Sequence, residues 1–238
     1  MSGGLVAIAL AIAGVASGIS GFGFALVSLT FLSLLVDVKA AVAFLVVHTL
    51  SVNVIQIFSL RQHFQLRTVL PMIIGAVGGV PVGVSLLKSV DATVIQKALG
   101  VFVVIFVLQQ IINPGANKKV NSNLVKGGVG LSGGVLMGAF LSGGPPIVMY
   151  SLKAGDNKYQ AKVNMQTFFV FSNIYALGLY LFTGLLTFDL FIESSKFLPV
   201  SIMGTFFGIR LFNIMSGDIF RKIVYLLLLC LGVAMLFK

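Results

Sequence analysis

Residues 5–36 form an apolar run interrupted by GVASGISGFGF at Gly14 to Phe24. About 20 apolar residues suffice for one helical crossing of a bilayer, so this run is too long for one. A second overlong run, 125–153, carries a matching interruption, GVLMGAFLSGGPP, at Gly134 to Pro146. Inside hydrocarbon an unpaired N–H or C=O has no water to bond. Irregular backbone persists there only where protein or a water-lined cavity surrounds it. Two such breaks in corresponding places predict a solute site shared by two halves of a transporter.

The surrounding composition agrees. Of 238 residues, 58% are hydrophobic and 9% charged, whereas a soluble domain carries about a quarter charged. The chain reads as a polytopic membrane protein. Its net charge of +10 is not a nucleic-acid signal. The Lys and Arg residues fall in short connections, where they orient a protein in the membrane. Trp is absent, which leaves Phe and Tyr as interfacial anchors. Cys230 is the only cysteine, so no disulfide forms within the chain. The first apolar run has no basic stretch before it and reads as a retained membrane segment, not a signal peptide.

Apolar segments cover 5–36, 40–60, 69–87, 92–112, 125–153, 163–186, 197–215 and 219–237. The expected fold is all-α, with two homologous four-segment halves, 1–112 and 125–238, and a linker at 113–124. A shift of 120 residues places Gly14 on Gly134, Gly18 on Gly138, Gly23 on Gly143 and Asn53 on Asn173. Further on the shift becomes 129, and Gly75 and Gly79 fall on Gly204 and Gly208. The glycines at i, i+4 form small-residue stripes that let helices approach closely in lipid.

Each long segment is expected to enter the membrane and return as a hairpin. Residues 5–18 and 24–36 make arms of 14 and 13 residues, each about 20 Å long at 1.5 Å per residue, short of the roughly 30 Å core. Charge supports this. If both long segments return to their side of entry, one face holds 11 Lys and Arg residues and the other 5. Eight plain crossings with parallel repeats, the alternative, give 7 against 9. The positive-inside rule prefers the first pattern. It puts both termini outside and gives each half three full crossings, so that the halves are inverted repeats.

At a hairpin tip, the second arm begins with unpaired N–H groups and a positive dipole end. Ser20, Gly21, Phe22, Gly23 and Phe24 form one tip. Ser142, Gly143, Gly144 and Pro145 form the other. Two such ends make a site for a small anion. Thr49, Asn53 and Gln56 share a face of the second segment, and Gln166, Thr167 and Asn173 answer them in the sixth. Intramembrane polar side chains usually face the bundle interior. His48 is a candidate proton carrier, and Arg210 a candidate for attracting anions at the inner mouth. All six carboxylates fall near segment ends, which disfavours carboxylate-based cation antiport. No metal or cofactor is called for.

GISGFGFALVSL at 18–29, the helix Ala41 to Asn53, the Gly75/Gly79 segment, GAFLSGGPPIVMYSL at 138–152 and GTFFGIRL at 204–211 together resemble the sulfite exporter TauE/SafE family of membrane permeases. The resemblance covers nearly the whole chain. It implies a duplicated transporter in the plasma membrane that moves small sulfur-containing anions or organic acids. Gly21-Phe22-Gly23-Phe24 departs from the glycine run of many relatives, and the rings are expected to reshape the first tip. Two other readings stand beside secondary transport: an anion channel, and an intramembrane serine protease with Ser20 in Gly18-Ile19-Ser20-Gly21 and His48 as base. A single catalytic serine leaves the second break unexplained. Composition leaves the oligomeric state open.

Overall fold

The computed structural model describes residues 3–59, 61–63, 66–112, 122–143, 146–148, 150–151, 158–212 and 217–237. Among these, every regular element is helical: α1 (Gly3–Ser20), α2 (Phe24–Ser33), α3 (Val38–Ser59), α4 (Leu66–Ser89), α5 (Ala92–Ile112), α6 (Asn123–Phe140), α7 (Lys158–Phe182), α8 (Phe188–Ser195), α9 (Leu198–Phe212) and α10 (Gly217–Leu236). A short 3-10 turn spans Arg61–His63, and residues 146–148 and 150–151 are helical. Five stretches of the described residues are long and apolar enough to cross a membrane: Gly3–Ser20, Val38–Ser59, Leu66–Ser89, Ala92–Gln109 and Tyr159–Phe182.

The first long run does break, but its arms are unequal. α1 has 18 residues and α2 has 10, where arms of 14 and 13 were expected. α1 continues to Ser20 because the Gly21 N–H still donates to Ser17 O at 2.8 Å. The chain then turns at Gly21 (φ 79°) and Gly23 (φ 98°), left-handed conformations that glycine adopts without a Cβ clash. The second run ends its first helix at Phe140, and Leu141 takes the left-handed conformation with φ 54°.

Two other boundaries differ. α7 begins at Lys158, not 163, and the polar residues of its first turns are buried: Gln160, Lys162 and Asn164. Polarity suggested a connection there; burial against the protein overrides it. α8 lies where a plain connection was expected. It is short and carries Asp189 and Glu193, so it has no apolar signature. Thr187 caps it, its hydroxyl accepting from Leu190 N at 3.3 Å, and Ser194 Oγ donates to Phe44 O of α3 at 2.7 Å.

On α4, Val69, Met72, Ala76 and Val80 are buried while Leu70, Ile74 and Val77 are exposed. One stripe meets protein and the other is apolar and outward, as a lipid-facing helix requires. α4 packs against α6, and α1 against α9; α5 lies on α10 and α3 on α7. Glycines set the first two contacts. A Cβ on Gly14 would lie 2.8 Å from Ser201 O, and one on Gly134 would lie 2.8 Å from Ala76 Cα. Gly75, Gly79 and Gly83 press on the backbone of α6 at Gly127, Leu131 and Val135. Without side chains in between, the backbones approach closely enough for dispersion contacts along the glycine stripes.

Candidate functional site

A small cavity lies where the two breaks come together. Its lining includes Phe22, Gly23, Phe24 and Ala25 from the first break, Leu141 and Ser142 from the second, and Thr49 and Asn53 from α3. Ser17 of α1 and Phe169 of α7 complete part of the wall. Its volume is about 20 Å³; a single water needs roughly 10–15 Å³ on this measure. In this conformation the cavity admits only a water-sized group.

The first break presents donors. Val27 N donates to Gly23 O at 2.9 Å, so the N–H groups of Phe24, Ala25 and Leu26 precede the first bond inside α2. Gly23 and the first two residues of α2 line the cavity. Phe22 also meets Phe106 of α5 edge-on, at 5.7 Å between ring centres. At the second break Phe140 stacks on Phe102 of the same helix at 5.9 Å. α5 therefore braces both breaks through aromatic contacts.

Polar side chains from α3 and α7 surround the end of α1. Gln56 Nε2 donates to Ser17 Oγ at 2.9 Å, and Gln166 Nε2 donates to Gln56 Oε1 at 3.2 Å and to Gly21 O. Lys162 Nζ donates to Gly18 O at 3.0 Å, and its methylenes cover Gly21, where a Cβ would lie 2.8 Å from Lys162 Cγ. Thr49 Oγ1 lies 3.3 Å from Asn173 Oδ1. All these polar side chains are buried.

The expected residues do not all meet the cavity. Phe22, Gly23, Phe24, Ser142, Thr49 and Asn53 line it. Asn173 stands one contact behind, through Thr49, and Gln166 two behind, through Gln56 and Ser17. Ser20 bonds its own chain, donating to Ala16 O at 2.7 Å with Phe22 O also in reach. Gly21 and Gly143 are packed against side chains; a Cβ on Gly143 would lie 2.6 Å from Phe169 Cε1. His48 sits between the rings of Phe24 and Phe44 and meets Ser201 Oγ at 2.8 Å. Arg210 is exposed in the last turn of α9 and joins none of this network. Gly144 and Pro145 lie outside the described residues.

Sequence reading missed Lys162, Ser17, Ser201 and Tyr180. Lys162 was placed among the surface charges of a connection. A signal existed: Lys162, Gln166 and Asn173 fall at i, i+4 and i+11, one face of one helix. Ser17, Ser201 and Tyr180 carry no such pattern, because their roles come from partners distant in sequence.

Apolar helices long enough to cross a membrane, with amides, hydroxyls and an ammonium buried between them, mark an integral membrane protein. The chain belongs to the sulfite exporter TauE/SafE family, whose model matches residues 6–235. Neither a curated protein nor a solved structure is matched by it.

Proposed function

We propose that the protein is a secondary transporter of a small anion, a sulfur oxyanion, an organosulfonate or a small organic acid, and works by alternating access around the two breaks. The family name speaks of sulfite. One observation carries the reading: a single cavity is lined by the start of α2, by the second break and by Thr49 and Asn53 of α3. Unpaired N–H groups and hydroxyl and amide donors around one cavity favour an anion. Ser142, Thr49 and Asn53 are its side-chain ligands, and Gly23, Phe24 and Ala25 offer backbone. Ser20, Gly21 and Gln166 hold the first tip in place and Asn173 backs Thr49; Gly143 belongs to the second tip, to which the sequence also assigns Gly144 and Pro145. Phe22 and Phe24 narrow the entrance. His48 is the proposed proton carrier, and Arg210 the proposed attractor at the inner mouth.

The two halves, 1–112 and 125–238, are read as inverted repeats that each open with a re-entrant hairpin, in a plasma membrane with both termini outside. Helix pairing supports the duplication: the first helix of each half, α1 or α6, packs on the second full crossing of the other, α9 or α4.

Thermal stability of the purified protein with sulfite, thiosulfate, sulfate, taurine, sulfoacetate and simple carboxylates tests the reading. A ligand at 100 times its Kd stabilises the folded state by about 2.7 kcal/mol. One of these anions is expected to raise the melting midpoint, and Ser142→Ala with Asn53→Ala to remove the effect. Stabilisation by a cation or a neutral solute alone sinks the anion reading.

A further inference from the structure

A broken helix offers a solute two opposite ends. The N-terminal end of α2 is positive and the C-terminal end of α1 is negative, each by roughly half a charge. Left bare, the two would nearly cancel, and the carbonyls of α1 would suit a cation as well as the N–H groups of α2 suit an anion. The carbonyls are not bare. Gly18 O takes the Lys162 ammonium at 3.0 Å, Gly21 O takes the Gln166 amide, and Ser17 O takes the Gly21 N–H at 2.8 Å.

The second break repeats the pattern at the positions equated by the 120-residue shift. Met137 O accepts from Leu141 N at 3.0 Å, and Gly138 O accepts from Tyr180 Oη at 2.7 Å. Lys162, Gln166 and Tyr180 all stand on α7. One helix therefore covers carbonyl ends at both breaks, with a charged donor at the first and a neutral one at the second. Lys162 is buried, with its ammonium on the Gly18 carbonyl.

From this we infer that Lys162 is the residue that sets anion preference, by covering the negative end of α1 so that the positive end of α2 dominates at the cavity. The inference rests on the proposed anion site and deepens it. Lys162 acts through Gly18, as a positioning and charge-setting residue behind the cavity wall.

The test uses the full-length protein reconstituted in vesicles. KM, Vmax and melting midpoint are measured for the best transported of sulfite, thiosulfate, sulfoacetate and acetate. Lys162→Met keeps the methylenes over Gly21 and removes only the ammonium. It is expected to raise KM by about tenfold or more, the size of a lost charge-assisted bond, with Vmax little changed. Lys162→Arg keeps the charge and is expected to restore a near-native KM. An unchanged KM in Lys162→Met overturns the inference, whatever happens to the midpoint. So does a KM raised equally in both variants. If Lys162→Met does not fold, Lys162→Gln, which puts a neutral amide in place of the ammonium, replaces it: a raised KM supports the inference and an unchanged one overturns it. Asn53→Ala and Ser142→Ala separate the two levels. If they raise KM and Lys162→Met does not, the site stands and only the role of Lys162 falls. If neither raises KM, or no anion of the panel is transported, the site falls and takes this inference with it.

Discussion

His48 of α3 and Ser201 of α9 meet at 2.8 Å, Nδ1 to Oγ, and tie a helix of the first half of the chain to one of the second. The imidazole is stacked on Phe44 with ring centres 5.2 Å apart, and Phe24, which lines the cavity, lies on it at 6.4 Å. Ser201 is fully buried. Its hydroxyl is a polar contact of the imidazole beside the cavity wall.

Removing that hydroxyl takes away the interhelical partner of Nδ1. Ser201→Ala is expected to destabilise the protein by about 0.6 kcal/mol and at most about 1.7, the range of interhelical hydrogen bonds in membranes. Thermal unfolding in detergent measures it. A gain in stability would mean that the pair is not a hydrogen bond.

His48 is also the proposed proton carrier, and this role is separable from packing. His48→Gln keeps a hydrogen-bonding side chain of similar reach but cannot be protonated. It is expected to abolish the effect of an imposed pH gradient on uptake while leaving anion exchange across equal pH. Uptake in the variant that still follows the gradient removes His48 from coupling.

Gly21 and Gly184 share a left-handed backbone, with φ 79° and 73°, but not their surroundings. A Cβ on Gly21 meets three carbons of Lys162, the nearest at 2.8 Å, and one on Gly184 meets nothing within 4 Å. Gly184→Ala is expected to cost roughly 1–2 kcal/mol, the backbone part alone. Gly21→Ala is expected to cost more and to weaken anion binding, because Lys162 must move off Gly18. Equal melting midpoints for the two variants would show that Lys162 yields without consequence.

The contact between α4 and α6 depends on Gly79, whose Cβ would strike Leu131 O and lie 2.9 Å from Val135 N. Gly79→Val is expected to abolish folded, monodisperse protein. Gly128 lies on α6 with nothing within 4 Å of its Cβ position. Gly128→Ala is expected to be tolerated and to gain about 0.5–1 kcal/mol from the lower backbone entropy of the unfolded chain. Size-exclusion profiles of the two variants check both expectations.

Much of this protein is legible in its residues alone, because hydrocarbon is an unforgiving solvent. Apolar runs of about 20 residues must become helices there, and a glycine-rich interruption such as Ser20 to Gly23 must be sheltered. The i, i+4 glycines announce close helix contacts, and Thr49, Asn53 and Asn173 stand out as polar residues in apolar helices. The ends of α1 and α2 were less legible. Their lengths depend on Gly18 packing against α9 and on a last helical bond from Gly21.

Partnership was decided by the tertiary structure. Nothing in the spacing of the chain says that Gly14 meets Ser201, that Tyr180 covers Gly138, or that Lys162 leaves the surface to cover Gly18. Local pattern reports how each residue type is solvated. It is blind to which distant donor reaches a given carbonyl, because helix packing brings together groups as far apart in sequence as Ser194 and Phe44, 150 positions. Membrane class and the places where the helices break follow from local physics. Which carbonyls at a broken helix are covered follows only from the packing of α7 against both breaks.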